Sequence, residues 1–172
     1  RQTGNIDATL IEAAITEKTS AIAPVHLYGQ MCDMKSMKII ADKYNLRLIE
    51  DSAHCIEGSR DGVRPGQLGH VACFSFYATK SITCGEGGAA ATNDENIARK
   101  LKLMRHHGIT KTARERYSER YEHWDMECFG WKYNMDNIQA ALLLNQLSRI
   151  DALWEKRNYV IDTVKQTVRT AE

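Results

Sequence analysis

The sequence predicts an α/β fold, a three-layer sandwich of helices around a mostly parallel sheet. Three observations carry this. An apolar, partly β-branched run (Thr19–His26), a helix-period run (Asp33–Tyr44) and a second apolar run (Leu46–Ile49) follow one another with little between them. Strand, helix, strand at that spacing is a βαβ unit, and its crossover makes the two strands parallel. The second strand then ends on Glu50-Asp51, polar residues at the carboxyl end, where parallel sheets carry their ligands.

The elements follow in chain order. Asp7–Thr16 places Leu10, Ile11, Ala14 and Ile15 at helical spacing, with Asp7 suited to the N-cap. Tyr28-Gly29-Gln30 reads as a loop after the first strand. The helix Asp33–Tyr44 puts Met34, Met37, Ile40, Ala41 and Tyr44 on one face, capped by Asp33 and closed by Asn45. Gly58–Gly69 is turn-rich, and Asp61-Gly62 signals a hairpin. Val71–Phe76 and Ala89–Thr92 are the third and fourth strands. Asn93 or Asp94 caps a helix running to His107, stopped by Gly108. Ile109–Phe129 is charged and aromatic with little period, a long loop expected to act as a flap. Asp136 opens one long helix, with Ile138, Leu142, Leu144, Leu147, Ile150, Leu153 and Trp154 on its apolar side.

Composition sets limits. With 172 residues, 43% hydrophobic and 26% charged, the chain can bury a core. A net charge of +1 gives no field suited to nucleic acid or an acidic membrane, and no apolar run has a membrane helix's length. Five scattered cysteines without CxxC spacing argue against a disulfide framework or a zinc site; reduced thiols in a cytoplasmic protein are the expectation. The chain opens without methionine and stops inside a helical pattern, so a piece of a longer protein is expected.

Cys73–Gly88, CFSFYATKSITCGEGG, is the stretch with most chemistry. Most lysines are solvated surface charges. Lys80, however, follows an aromatic strand and precedes a glycine turn. Held in a dry pocket, its ammonium loses hydration and its pKa falls; the neutral amine attacks a carbonyl to form a Schiff base. Asp51 is either a surface acid or the carboxylate that pairs with the ring nitrogen of pyridoxal phosphate; a ribose-holding acid would need an upstream G-x-G-x-x-G, which is absent. His54 is either structural or packed on a flat cofactor. Ser75 alternates with Phe74 and Phe76 and so faces away from them, as a phosphate donor would. Gly85–Gly88 reads as a tight turn in preference to a phosphate nest, and Asn134 as a helix cap.

The ordered motifs PVHLYGQ, IEDSAH, FSFYATKSITCGEGG and WKYNMDNIQAAL, from about Ile6 to Asn158, resemble the DegT/StrS family of nucleotide-sugar aminotransferases. The resemblance implies the large domain of aminotransferase fold type I, with pyridoxal 5'-phosphate as cofactor. It implies that Lys80 forms the Schiff base, Asp51 holds the pyridinium nitrogen, His54 sits by the ring, and Ser75 binds the phosphate. Asn134 then reaches the phosphate of a neighbouring subunit, in a homodimer with shared sites. Glu57 and His70 depart from the family's usual glycine and aspartate.

The implied organisation is residues 1–134 as part of the cofactor-binding large domain, and 135–172 as a helix leading toward a C-terminal small domain. The implied reaction is transamination of a nucleotide-linked keto-sugar, with glutamate as donor, in amino-sugar or polysaccharide biosynthesis. A sugar dehydratase on the same scaffold would carry histidine where Lys80 stands, and a non-catalytic sensor would have no need of Lys80, Asp51 and Ser75 together. The chain alone is expected to bind the cofactor weakly.

Overall fold

The computed structural model describes residues 3–110 and 125–170; residues 111–124 of the expected flap Ile109–Phe129 lie outside them. The β-strands are β1 (Ala21–Ile22), β2 (Arg47–Asp51), β3 (Val71–Ser75) and β4 (Gly88–Ala91). The helices are α1 (Ile11–Ala14), α2 (Met34–Lys43), α3 (Glu95–Met104), α4 (Asn137–Leu147) and α5 (Ile150–Thr170). The strands form one sheet in the order β1-β2-β3-β4. Pairings β1–β2 and β2–β3 are parallel and β3–β4 is antiparallel, so the predicted mostly parallel sheet is present.

Strand β1 is shorter than the predicted Thr19–His26. Pro24 lacks the N–H a ladder needs. Pairing resumes in the same register at Val25, which bridges Asp51; Asp51 N–H donates to the Pro24 carbonyl at 2.8 Å, and His26 N–H to that of Asp51 at 3.0 Å.

The first predicted helix is a 3-10 turn (Ala8–Leu10) and one α turn, capped by Asp7 as predicted. Only Ala8 and Ile11 of this stretch are buried, while Leu10 is exposed; so short a segment propagates no further without packing. Helix α2 matches its prediction. Asp33 Oδ1 accepts from Ser36 N–H at 3.1 Å, and Asn45 has φ 51°, the left-handed turn that closes the helix. Met34, Met37 and Ala41 are buried against Leu48 and Ile22. Each large side chain so buried contributes about 1.5–3 kcal/mol. Tyr44 lies past the last turn and is exposed, against the prediction.

The Asp61-Gly62 turn closes as predicted, with Arg60 and Val63 exchanging backbone hydrogen bonds at 2.9 Å. Helix α3 is capped by Asp94 and ends at Met104, before His107; His107 and Gly108 both have positive φ. Gly108 is also a close approach, since a Cβ there would strike the Cys128 carbonyl.

The single long helix predicted from Asp136 is two helices. Ser148 Oγ and Arg149 Nε both donate to the Asn145 carbonyl at 3.0 Å, and side chains that bond the backbone in this way interrupt a helix. Asp136, expected to open the helix, is its N-cap, whereas Asn134, read as the cap, is not. The predicted apolar side of α4 is also reversed: Ile138 is 78% exposed, Leu142, Leu144 and Leu147 are exposed, and Leu143 is buried. Leu143 packs with Phe76, Ile82 and Cys84 in a second cluster that docks α4 on the stretch after β3.

Alternation along β2 divides the sheet into two faces. Leu48 and Glu50 are buried, whereas Arg47, Ile49 and Asp51 are exposed. Cys73, paired in register with Asp51, is exposed too. Helix α2 covers the first face. The second is exposed at these positions among the described residues.

Candidate active site

Asp51 and Ser75 are the last residues of the adjacent parallel strands β2 and β3. The β2–β3 register pairs Asp51 with Cys73, and alternation places Ser75 on the same face. Phe74 and Phe76 point the other way, into the cluster around Leu143. A carboxylate and a hydroxyl thus share one face at the carboxyl edge of the sheet. The Asp51 carboxylate is exposed and accepts one hydrogen bond, from Ala53 N–H at 3.1 Å. Ser75 Oγ accepts from Tyr77 N–H at 3.3 Å.

Lys80 lies on the turn that follows. Tyr77 bridges Gly85, and Lys80 N–H donates to the Tyr77 carbonyl at 2.9 Å. The Phe76 carbonyl takes Cys84 N–H at 3.0 Å and Thr83 Oγ1 at 2.9 Å. Ile82 and Cys84 are buried. Gln146 of α4 completes the lock: its Oε1 accepts from Thr83 N–H at 2.9 Å, and its Nε2 donates to the Thr83 carbonyl at 2.7 Å. The Lys80 amine has no hydrogen-bond or ion-pair partner among the described residues, and its residue is half-buried, not sealed in the expected dry pocket. Gly85, with φ 85°, turns the chain back toward β4, in keeping with the tight-turn reading.

His54 is exposed, on the loop after β2. It makes no hydrogen bond to Asp51. Its ring stacks on Tyr28, with centroids 5.6 Å apart and planes at 11°, and its Nδ1 accepts from Tyr28 N–H at 3.4 Å. Tyr28 has φ 54°, a left-handed conformation rare for a bulky residue. The expected loop Tyr28-Gly29-Gln30 is a 3-10 turn over Leu27–Gly29, fitted against His54. Asn134 stands apart and exposed, accepting from Lys132 Nζ at 2.5 Å.

Sequence reasoning passed over Glu50, which is fully buried with His26. Its carboxylate accepts from His26 Nε2–H at 2.9 Å, Gly66 N–H at 3.1 Å and Gly69 N–H at 2.8 Å. Cys32 N–H is directed at His26 Nδ1 at 3.2 Å, so the ring proton is on Nε2. A Cβ at Gly69 would lie 2.4 Å from Glu50 Oε1, so only glycine allows this approach. Period-two alternation was the available signal: if Asp51 faces a ligand, Glu50 faces the core.

The model of the DegT/DnrJ/EryC1/StrS aminotransferase family matches residues 1–172. The chain belongs to this family. Among curated relatives, GDP-perosamine synthase of Caulobacter vibrioides is 42% identical over 96% of the chain and 42% of its own length. Two solved structures share the fold. One is a DegT DnrJ EryC1 StrS aminotransferase from Brucella abortus, with TM-score 0.84 and 32% identity over 98% of this chain and 44% of that one. The other is a putative sugar aminotransferase, Spr1654 from Streptococcus pneumoniae, in its PLP-form. It gives TM-score 0.79 and 29% identity over 92% of this chain and 43% of that one. The chain spans about two fifths of the length of the curated relatives it matches.

For a family member, the groups at this sheet edge fit pyridoxal phosphate. The amine of Lys80 suits an aldehyde, the Asp51 carboxylate has lone pairs left for a ring N–H, and the Ser75 hydroxyl suits a phosphate oxygen.

Proposed function

We propose that the full protein is a pyridoxal-phosphate-dependent aminotransferase acting on a nucleotide-linked keto-sugar, with glutamate as amino donor. The observation that carries this is the convergence of Asp51 and Ser75 at one edge of the sheet, with Lys80 on the turn directly after. Bound pyridoxal phosphate supplies an electron sink for a carbanion beside the amine being moved. Asp51 accepts the ring N–H and keeps that nitrogen protonated. Ser75 donates to the phosphate and fixes the cofactor's register. Lys80 Nζ would hold the cofactor through its aldehyde and would take and return the substrate proton. His54, steadied by Tyr28, presents its ring to the cofactor. Asn134 reaches toward the phosphate in a second subunit of a homodimer. Residues 1–134 belong to the cofactor-binding domain, and 135–172 lead toward the remainder of the protein. A sugar-nucleotide substrate is supported by the likeness to GDP-perosamine synthase.

The test is a spectrum of the full-length protein with pyridoxal phosphate, then borohydride reduction and peptide mapping. A visible band and a label on Lys80 are expected. A label on another lysine, or no band, overturns the assignment. Amino transfer from glutamate to candidate keto-sugar nucleotides then tests the reaction.

A further inference from the structure

Helix α5 meets the Lys80 turn at Ile150, which packs against the cluster holding Ile82 and Cys84, and again at Arg157. Arg157 Nη1 pairs with Glu57 Oε1, and Arg157 Nη2 donates to the Ser81 carbonyl at 3.3 Å. These partners lie 100 and 76 residues away in sequence. Glu57 follows the loop that carries His54, and Ser81 is bonded directly to Lys80. The Glu57 side chain is only 11% exposed, and its Oε2 is buried without a partner among the described residues, so the carboxylate depends on Arg157. Gln146 already holds the turn at Thr83 from α4. Arg157 adds a second hold, next to the lysine. Its planar fork suits two acceptors at once, which a lysine ammonium on a single stem matches poorly.

We propose that Arg157 and Glu57 are positioning residues for Lys80, fixing through the Ser81 carbonyl where its amine stands. The inference rests on the reading of Lys80 as the cofactor lysine and deepens it. It makes the lysine's placement depend on α5, so a shift of that helix reaches the site through Arg157 and its bond to the Ser81 carbonyl.

The experiment uses full-length protein. Borohydride mapping of the wild type comes first. Then Arg157→Ala, Arg157→Lys, Glu57→Ala and the Glu57→Ala/Arg157→Ala double variant are compared, with Lys156→Ala as a control on the same helix. The readouts are the pH midpoint of the visible cofactor band, kcat and KM separately, and Tm. In Arg157→Ala the midpoint should move by about half a unit or more, a threefold or larger change in proton affinity. kcat should fall about tenfold with KM within about twofold. Glu57→Ala should match it, the double variant should add little, and Arg157→Lys should recover part of the loss. If Arg157→Ala does not fold, the Arg157→Lys and Glu57→Ala shifts decide. A label on Lys80 with an unmoved midpoint, or a fall in Tm alone, overturns the positioning role. A wild-type label on another lysine overturns the reading of Lys80, and the role with it.

Discussion

Glu50 and Asp51 are neighbours in sequence and opposites in environment. Among the described residues, fully buried Glu50 has three donors on its carboxylate and exposed Asp51 has one. Removing a partner from a buried charged network leaves donors unsatisfied. Glu50→Ala should therefore destabilise the protein by about 3–5 kcal/mol in urea unfolding, with Glu50→Gln less severe. Asp51→Ala should leave stability within about 0.5 kcal/mol, as for surface changes generally, yet abolish cofactor binding. Lys80→Ala should lower turnover by about a thousandfold or more with an unchanged circular dichroism spectrum. At Cys55, burial pushes the thiol up to about 11, and burial also raises Cys84. Iodoacetamide at pH 8 should thus modify exposed Cys128 and spare Cys55, as read by peptide mass.

Element boundaries followed local chemistry where a cap was present. Asp7, Asp33, Asp94 and Asp136 each accept a backbone N–H at a helix start; the sequence pointed to Asp7 and Asp33 as caps, left Asn93 or Asp94 open, and had Asp136 opening its helix. The Asp33 carboxyl is held below the usual carboxylate range by Ser36 N–H, against the opposing effect of burial. A depressed folded-state value means that the cap stabilises above the ordinary carboxylate range and fades as pH falls through the depressed value. Asp33→Ala should therefore cost about 1 kcal/mol at neutral pH, and the difference from wild type should close in acid, followed by denaturant titration at each pH. Where no local signal existed, the reading failed. Pro24 interrupts a strand that apolar composition suggested, and Ser148 with Arg149 breaks a helix that periodicity joined. The apolar side of α4 could not be read because that helix is apolar nearly all round.

At the scale of the molecule, and among the described residues, β2 is buried on one face and exposed on the other. Parallel sheets are normally covered on both, and this chain spans about two fifths of the length of its curated relatives. Ile49 and Val25 are exposed on or beside the open face, next to Asp51. In the full-length protein Ile49→Lys should cost about 2 kcal/mol or more, the penalty for burying a polar group. A neutral effect in urea unfolding would mean that the face stays in water.

The sequence by itself determined the strand–helix–strand order, the Asp7 and Asp33 caps and the Asp61-Gly62 turn, because these depend on residues a few positions apart. Motif order carried the family resemblance and with it Lys80, Asp51, His54, Ser75 and Asn134. Tertiary structure alone decided that Glu50 turns inward onto His26 and two glycine amides, and that Tyr28 takes a left-handed turn beneath His54. Likewise only the fold brings Gln146 and Arg157 back onto the residues around Lys80. Such contacts join positions dozens of residues apart, and their energy comes from desolvated groups meeting in space, which no local period or propensity records.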